Sequence, residues 1–395
     1  MLMPKLFKTY RLLTITIFLF GFIAVGTIYY YRDFIFKQVS NVFLKQDYSH
    51  AYLKPVDYKI QSQWLKNVPY LRNEKLLIPE NWEAVIFASG LNNPSKIQVL
   101  SSTQVLVTEL NPGNVTILID SDYDNSANSA TVFDSGLSLP NGIYFYDNNL
   151  YVATNNAVYI YKNINEQLNA FQPEKEKLID LPLGGLNNLK NIFVNNNGIY
   201  VSVGSSCDYC VEPDKKRGSL LKYNLNGGEE EIYASGFRRI NSIIGIGPSL
   251  VVSDDNTTKS AYNFDDEINI IQFGGFYGWP YFAGKNVSTN INIGVNNELI
   301  NKKILPEFDF NYGSIPNGME YVDQDNSGAL FVNLTGQQKT IKIAFFEQQP
   351  SIDDFLVFKN TDNSVKPLLS DIKRFKDGFL ISDSGRGVIY FVYPR

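Results

Sequence analysis

Histidine is nearly missing from this chain: His50 is the only one in 395 residues. Cysteine is almost as scarce, with only Cys207 and Cys210, in the run Cys207-Asp208-Tyr209-Cys210. Two cysteines and one distant histidine fall short of the four ligands of a structural zinc site. The pair also lacks the βαβ setting of a thioredoxin-type motif. What remains for it is a disulfide that closes a short loop in an oxidising compartment. Basic residues are outnumbered, 35 Lys and Arg against 40 Asp and Glu. The net charge of −5 argues against nucleic acid as a partner. Helical periodicity is a further absence. After Asn81 no long stretch repeats apolar residues at i, i+3, i+4 and i+7, which excludes a helical bundle for most of the chain.

In place of helices there is one pattern, written six times. A turn leads into an alternating apolar stretch, a break at Gly, Asn or Asp, and a second alternating stretch. The copies start at Gly90, Gly136, Gly184, Gly236, Gly313 and Lys366. Successive starts lie 46, 48, 52, 77 and 53 residues apart. A fixed period near 50 is the mark of a β-propeller with one four-stranded sheet per repeat. The stretches Leu150-Tyr151-Val152-Ala153-Thr154 and Ile199-Tyr200-Val201-Ser202-Val203 have period 2 and are rich in β-branched and aromatic residues. Asp147-Asn148-Asn149, Asn195 to Gly198 and Lys376-Asp377-Gly378 read as hairpin turns, because Asn, Asp and Gly tolerate positive φ.

The fold class is therefore all-β, a six-bladed propeller over residues 81–395. Strand Glu83–Ala88 should pair with Val388–Val392 and close the ring. The long fourth interval holds an insertion, roughly Thr257 to Asn311, of the kind that often lies on a binding face.

The N-terminal part differs. Leu12 to Tyr31 is 20 residues without a charge, enough to span about 30 Å of bilayer core. Lys5, Lys8 and Arg11 precede it, so residues 1–11 should stay cytoplasmic and the propeller should lie on the periplasmic or extracellular side of a single-pass anchor. A cleaved signal peptide is the alternative, though its apolar part would be unusually long. Residues 32–80 read as a stalk outside the ring. Four glycosylation sequons start at Asn114, Asn256, Asn286 and Asn333, but an Asn-rich chain contains such triplets by chance.

Several runs resemble a known family. Gly198-Ile199-Tyr200-Val201-Ser202-Val203-Gly204-Ser205-Ser206-Cys207 is similar to a run of sorbosone dehydrogenase-like proteins. These belong to the soluble sugar dehydrogenases that use pyrroloquinoline quinone and calcium. Further matching runs are Ala234 to Arg238, Asp265 to Asn269, Gly274 to Pro280, Pro316 to Glu320 and Asp377 to Asp383, in order through all six repeats. The resemblance implies hydride transfer from a sugar or aldehyde to the quinone. In that chemistry a histidine base takes the proton, calcium polarises the quinone, and Arg and Lys hold its carboxylates and carbonyls.

Each of those roles maps onto positions here. The family's histidine position is held by Leu186 or Asn187, in Gly184-Gly185-Leu186-Asn187-Asn188-Leu189-Lys190, and neither accepts a proton near neutral pH. A carboxylate such as Asp180 is a conceivable substitute. Arg238 matches a cofactor-binding arginine, although Arg239 replaces the asparagine that follows it. Lys339 matches a quinone-contacting lysine, with Lys342 as the alternative register. The family's late arginine falls near Leu368, with Lys366 as the nearest base. Glu267 and the carbonyl of Ala283 match metal ligands of the family, which assigns them calcium. The family's Gly-Pro before this acidic run is replaced by Tyr262-Asn263-Phe264. Asp323 to Gly328 resembles a calcium loop but has Leu334 where that motif needs Glu, so it reads as a hairpin.

Three functions follow from these residues. One is a membrane-anchored quinoprotein dehydrogenase with an altered site. Another is a non-catalytic propeller that binds a sugar or a protein partner. The third is a calcium-dependent lactonase-like hydrolase, for which Asp254, Asp255, Asn256 and Asp383 would supply axial ligands.

Overall fold

The structure is a computed structural model. It describes residues 53–56, 75–170, 172–256, 263–285, 287–289, 298, 301–324, 327–345, 350–359 and 365–395. The expected membrane anchor at 12–31 and the tail at 1–11 lie outside the described residues. Among the described residues no helix is long and apolar enough to cross a membrane.

Six antiparallel sheets form the ring. Their innermost strands are Pro94–Val99, Gly142–Tyr146, Ile192–Asn195, Ile240–Ile246, Pro316–Gln324 and Leu369–Phe375, which start blades 1 to 6. Each packs beside the next, and the last beside the first, around a central axis. The outer strand of blade 6 is Trp82–Ser89, paired antiparallel with Val388–Pro394, so the ring closes as the sequence implies.

The alternation explains the ring. In Gly198–Val203, the second strand of blade 3, Ile199, Val201 and Val203 pack towards blade 2. Tyr200, on the opposite face, packs towards blade 4. Both faces of a blade are apolar because both are buried, and each of six clusters fills the space between two neighbouring blades. A fully buried Val, Leu or Ile contributes about 1.5–3 kcal/mol, so the blades stabilise one another rather than themselves. The hairpin turns form as expected: Asp147 and Asn148 have φ of 48° and 57°, and Lys376 has φ of 50°.

Two boundaries differ from the sequence reading. Strands Leu53–Val56 and Lys75–Pro79, placed in the stalk, extend blade 5 to six strands through pairing of Lys75–Leu77 with Val357–Lys359. Leu76 and Ile78 are fully buried there. The insertion is also shorter than 257–311, because Asp266–Ile271 and Phe308–Phe310 are the third and fourth strands of blade 4. The inserted residues between them give blade 3 a fifth strand, Gly275–Phe276, parallel to Glu231–Ser235. They then fold over the loops of blades 3 and 4, where Trp279 and Phe264 pack with Tyr209.

Candidate functional site

The inner strands start, and the second strands end, on one side of the ring, the loop face. Every site residue that the resemblance nominates belongs to this half of the blades. The Cys207–Cys210 disulfide lies here, in the loop after the second strand of blade 3. The preceding Gly204 leaves no room for a side chain, since a Cβ would fall 2.4 Å from the Asn187 carbonyl oxygen. That contact seats Asn187 against blade 3. Asn187 is buried, and its Nδ2 donates to Ser205 Oγ at 2.7 Å. Leu186 is 47% exposed. Asp180, the conceivable substitute, is on the outermost strand of blade 2 and pairs with Lys177 at 2.7 Å.

Arg238 is buried, and each of its three guanidinium nitrogens donates one hydrogen bond within the protein. Nη2 donates to Asp208 Oδ1 at 2.5 Å, inside the disulfide loop. Nη1 donates to the Asp255 carbonyl at 3.2 Å, Nε donates to the Asp208 carbonyl at 3.5 Å, and the group lies 5.9 Å from the Trp279 ring centre. Arg239 pairs with Asp255. Lys339 opens the third strand of blade 5 and donates to Asp354 on the fourth strand at 2.8 Å, away from the inner strand. Lys342 follows on the same third strand. Leu368 is exposed, and its N–H donates to Asp383.

Glu267 and Ala283 do come together, but through protein bonds. Glu267 Oε1 accepts the N–H of Gly284, and Oε2 accepts Asn269 Nδ2 at 3.0 Å. Burial, and then the Asp254 charge, raise its carboxyl well above the ordinary range. Among the described residues Glu267 joins no group of three carboxylates close enough to share an ion.

The axial acids serve a different purpose. Asp254 accepts the N–H groups of Arg238 and Arg239, and Asp383 accepts those of Leu368 and Arg386. Glu109 does the same for Asn92 in blade 1. A carboxylate at the end of the second strand thus braces the turn leading into its own blade. Burial nevertheless pushes Asp254 and Asp383 up to about 6. Asn256 donates to the Asp265 carbonyl at 3.2 Å, and its own N–H goes to Asp266 at 2.8 Å.

Two lysines that the sequence reading passed over dominate the axis. Lys96 reaches from blade 1 across to blades 4, 5 and 6, donating to Asn241 O, Asn317 Oδ1 and Ser370 O at 2.8–3.0 Å, with Asp371 3.8 Å away. Burial lowers it to about 8, against the pull of Asp371. Lys190 is fully buried with its amine unbonded, and burial, followed by the Arg217 charge, lowers it to about 8. Aligning the six repeats on the Ile or Met of the inner strand could have found it. Lys190 then falls in the column of Ser95, Asn141, Asn241, Asn317 and Ser370.

Beside Lys96 lies an axial cavity of about 300 Å³. Gln98, Tyr144, Phe193, Glu320, Tyr321 and Lys373 line it, together with Lys96 and Asp371. Lys373 sits 3.5 Å from Glu320. Burial raises the Glu320 carboxyl. Burial also lowers Lys373, but Asp371 and Glu320 outweigh this and leave it raised. The cavity therefore presents a charged pair flanked by aromatic rings.

Comparisons with known proteins agree with the architecture. Residues 103–239 match a family described as a domain of unknown function, DUF7133. An uncharacterized protein of Borreliella burgdorferi is 28% identical over 216 residues, 50% of this chain and 55% of that protein. Among solved structures, the PQQ domain of pyranose dehydrogenase from Coprinopsis cinerea, in its holo form, superposes with a TM-score of 0.68 at 12% identity, over 82% of this chain and 98% of that one. The PQQ-bound aldose sugar dehydrogenase of Streptomyces coelicolor gives 0.57 at 18% identity, over 80% and 99%. The apo aldose sugar dehydrogenase of Escherichia coli gives 0.60 at 15% identity, over 80% and 100%. The chain thus has the propeller fold of these sugar dehydrogenases, and the resemblance read from its motifs holds at the level of fold.

Proposed function

We propose that this propeller binds a sugar-sized polyol without oxidising it, on a dehydrogenase fold whose quinone site has been rebuilt into structure. The observation that carries this is Arg238. Its guanidinium is taken up by Asp208 and Asp255, so it presents no fork to a planar polycarboxylate. Lys339 is likewise held by Asp354, and of the two residues at the histidine position Asn187 is bonded to Ser205 and Leu186 is aliphatic. The residues here do not fit pyrroloquinoline quinone or its calcium, and no hydride step is assigned to them.

The axial cavity is the binding site in this reading. Its volume of about 300 Å³ lies at the small end of ligand pockets, which suits a monosaccharide. Glu320 and Lys373 would take sugar hydroxyls, and the rings of Tyr144, Phe193 and Tyr321 would take its C–H faces. The uncharged run Leu12 to Tyr31 would tether the domain outside the cytoplasm. A catalytic reading would rest on Lys190, whose buried, unbonded amine stands three residues from Asn187 in the chain and accepts a proton only above about pH 8.

Calorimetry with a panel of aldoses and polyols tests the proposal, alongside dye reduction after incubation with pyrroloquinoline quinone and calcium. Binding that is lost in Tyr144→Ala and Lys373→Met, without dye reduction, is expected. Quinone-dependent dye reduction with an aldose, abolished in Lys190→Met, would overturn it in favour of the enzyme.

A further inference from the structure

The loop joining the third and fourth strands of blade 1 reads Asp120-Ser121-Asp122-Tyr123-Asp124-Asn125-Ser126. Acidic residues at alternate positions are how calcium loops supply their first three side-chain ligands. Here one carboxylate oxygen from each of Asp120, Asp122 and Asp124 lies within 4.8 Å of the others. Tyr123 and Asn125 take φ of 61° and 72°, which curls the loop around the three acids.

A second observation concerns Asp120. It has no exposed surface, and its Oδ1 has no hydrogen-bond partner. A buried carboxylate oxygen without a donor is costly to the fold unless something positive completes it. Lys376 does not do so, because its ammonium donates to Oδ2 at 2.9 Å and to Asn125 Oδ1 at 2.9 Å.

We propose that this loop is a calcium site that locks the ring shut. Its position gives the ion that role. Ser126 Oγ donates to the Ile86 carbonyl at 3.2 Å, and the Ala127 N–H donates to the Phe87 carbonyl at 2.7 Å, both on the closing strand Trp82–Ser89. Lys376 belongs to the first hairpin of blade 6. An ion held by the three acids therefore stiffens the junction of blade 1, blade 6 and the closing strand. The twelfth position of the loop is Thr131 rather than Glu, so water completes the shell and the affinity falls at the weak end of calcium modules, with Kd about 10⁻⁴–10⁻³ M. This site is separate from the axial cavity and does not depend on the proposed ligand.

Terbium provides a direct probe, because Tyr123 lies between two of the ligands and its ring can sensitise a bound lanthanide. The full chain is titrated with terbium, then with calcium, and its melting temperature is read with calcium and with chelator. Asp122→Asn with Asp124→Asn removes two exposed ligands, and Asp122→Asn alone serves as the milder variant. Sensitised emission displaced by calcium is expected, with melting raised by about 5 °C at a hundredfold excess of calcium over Kd. Both effects should vanish in the variants while their circular dichroism stays that of the wild type. Absence of emission and of a calcium-dependent shift in the wild type overturns the proposal. So does an equal shift in the double variant, which would put the ion elsewhere.

Discussion

If Arg238 braces the loop face instead of holding a cofactor, replacing it must damage the protein that has never met a cofactor. Arg238→Met keeps most of the apolar stem and deletes the guanidinium. The deletion removes the Arg238–Asp208 ion pair at 2.5 Å, whose side chains are 4% and 24% exposed. Removing one partner of a fully buried pair costs about 3–5 kcal/mol, and an exposed pair is worth about 0–1 kcal/mol. A pair with one side a quarter exposed should cost about 2 kcal/mol by interpolation between those limits. Loss of the charge-assisted bond to the Asp255 carbonyl and of the Trp279 contact adds about 1 kcal/mol after allowance for non-additivity. The total, about 3 kcal/mol, corresponds to a fall of about 6 °C in melting temperature for a domain of this size. Differential scanning fluorimetry of the apo protein reads it directly. A double-mutant cycle with Asp208→Asn should return a coupling of about 1–2 kcal/mol. The reasoning is refuted if Arg238→Met melts within about 1 °C of wild type while losing stabilisation by quinone and calcium.

Two further outcomes follow from the fold. Leu76→Ala should cost about 2–5 kcal/mol in urea unfolding, because that side chain is fully buried against blade 5; a cost below about 0.5 kcal/mol would return the segment to a surface stalk. Asp383 is raised to about 6 from 3.8 by burial, so the folded state holds its proton more tightly than the unfolded chain. Its contribution is therefore complete below pH 3.8 and is lost as pH rises through about 6. Wild type should lose stability relative to Asp383→Asn across that window, and a difference that stays flat with pH would contradict the assignment.

The sequence made the blades legible because each strand carries its own instruction. In Ile199-Tyr200-Val201 the alternation states which residues face which neighbour, and Asp147-Asn148 states where the chain reverses. Lys75–Pro79 was not legible, since a short apolar run without alternation looks the same in a buried strand as in a stalk. The insertion was over-drawn for a related reason. Asp265-Asp266-Glu267 has the composition of a loop, yet Asp266 and Glu267 are strand residues whose carboxylates serve neighbouring N–H groups. The candidate site was legible as residue types but not as roles. Nothing near Arg238 in the chain says that its partner is Asp208, 30 residues back in a loop closed by a disulfide. Lys96 is harder still. Within an alternating strand it resembles any solvated lysine, and its partners lie 145, 221 and 274 residues away.

The pairing of Trp82–Ser89 with Val388–Pro394 also governs when the molecule can come into being during synthesis. The first strand of the ring is made early, and its partner is made only after the other strands of the ring. Until then Trp82–Ser89 has an unsatisfied edge, and the apolar faces of blades 1 and 6 that later meet have no neighbour. Chains that stop before Val388 would therefore lose the whole closure rather than a frayed end. Such chains would expose a strand edge competent to pair with another copy. The arrangement makes synthesis of Val388–Pro394 the step that commits the ring, with quality control resting on those seven residues.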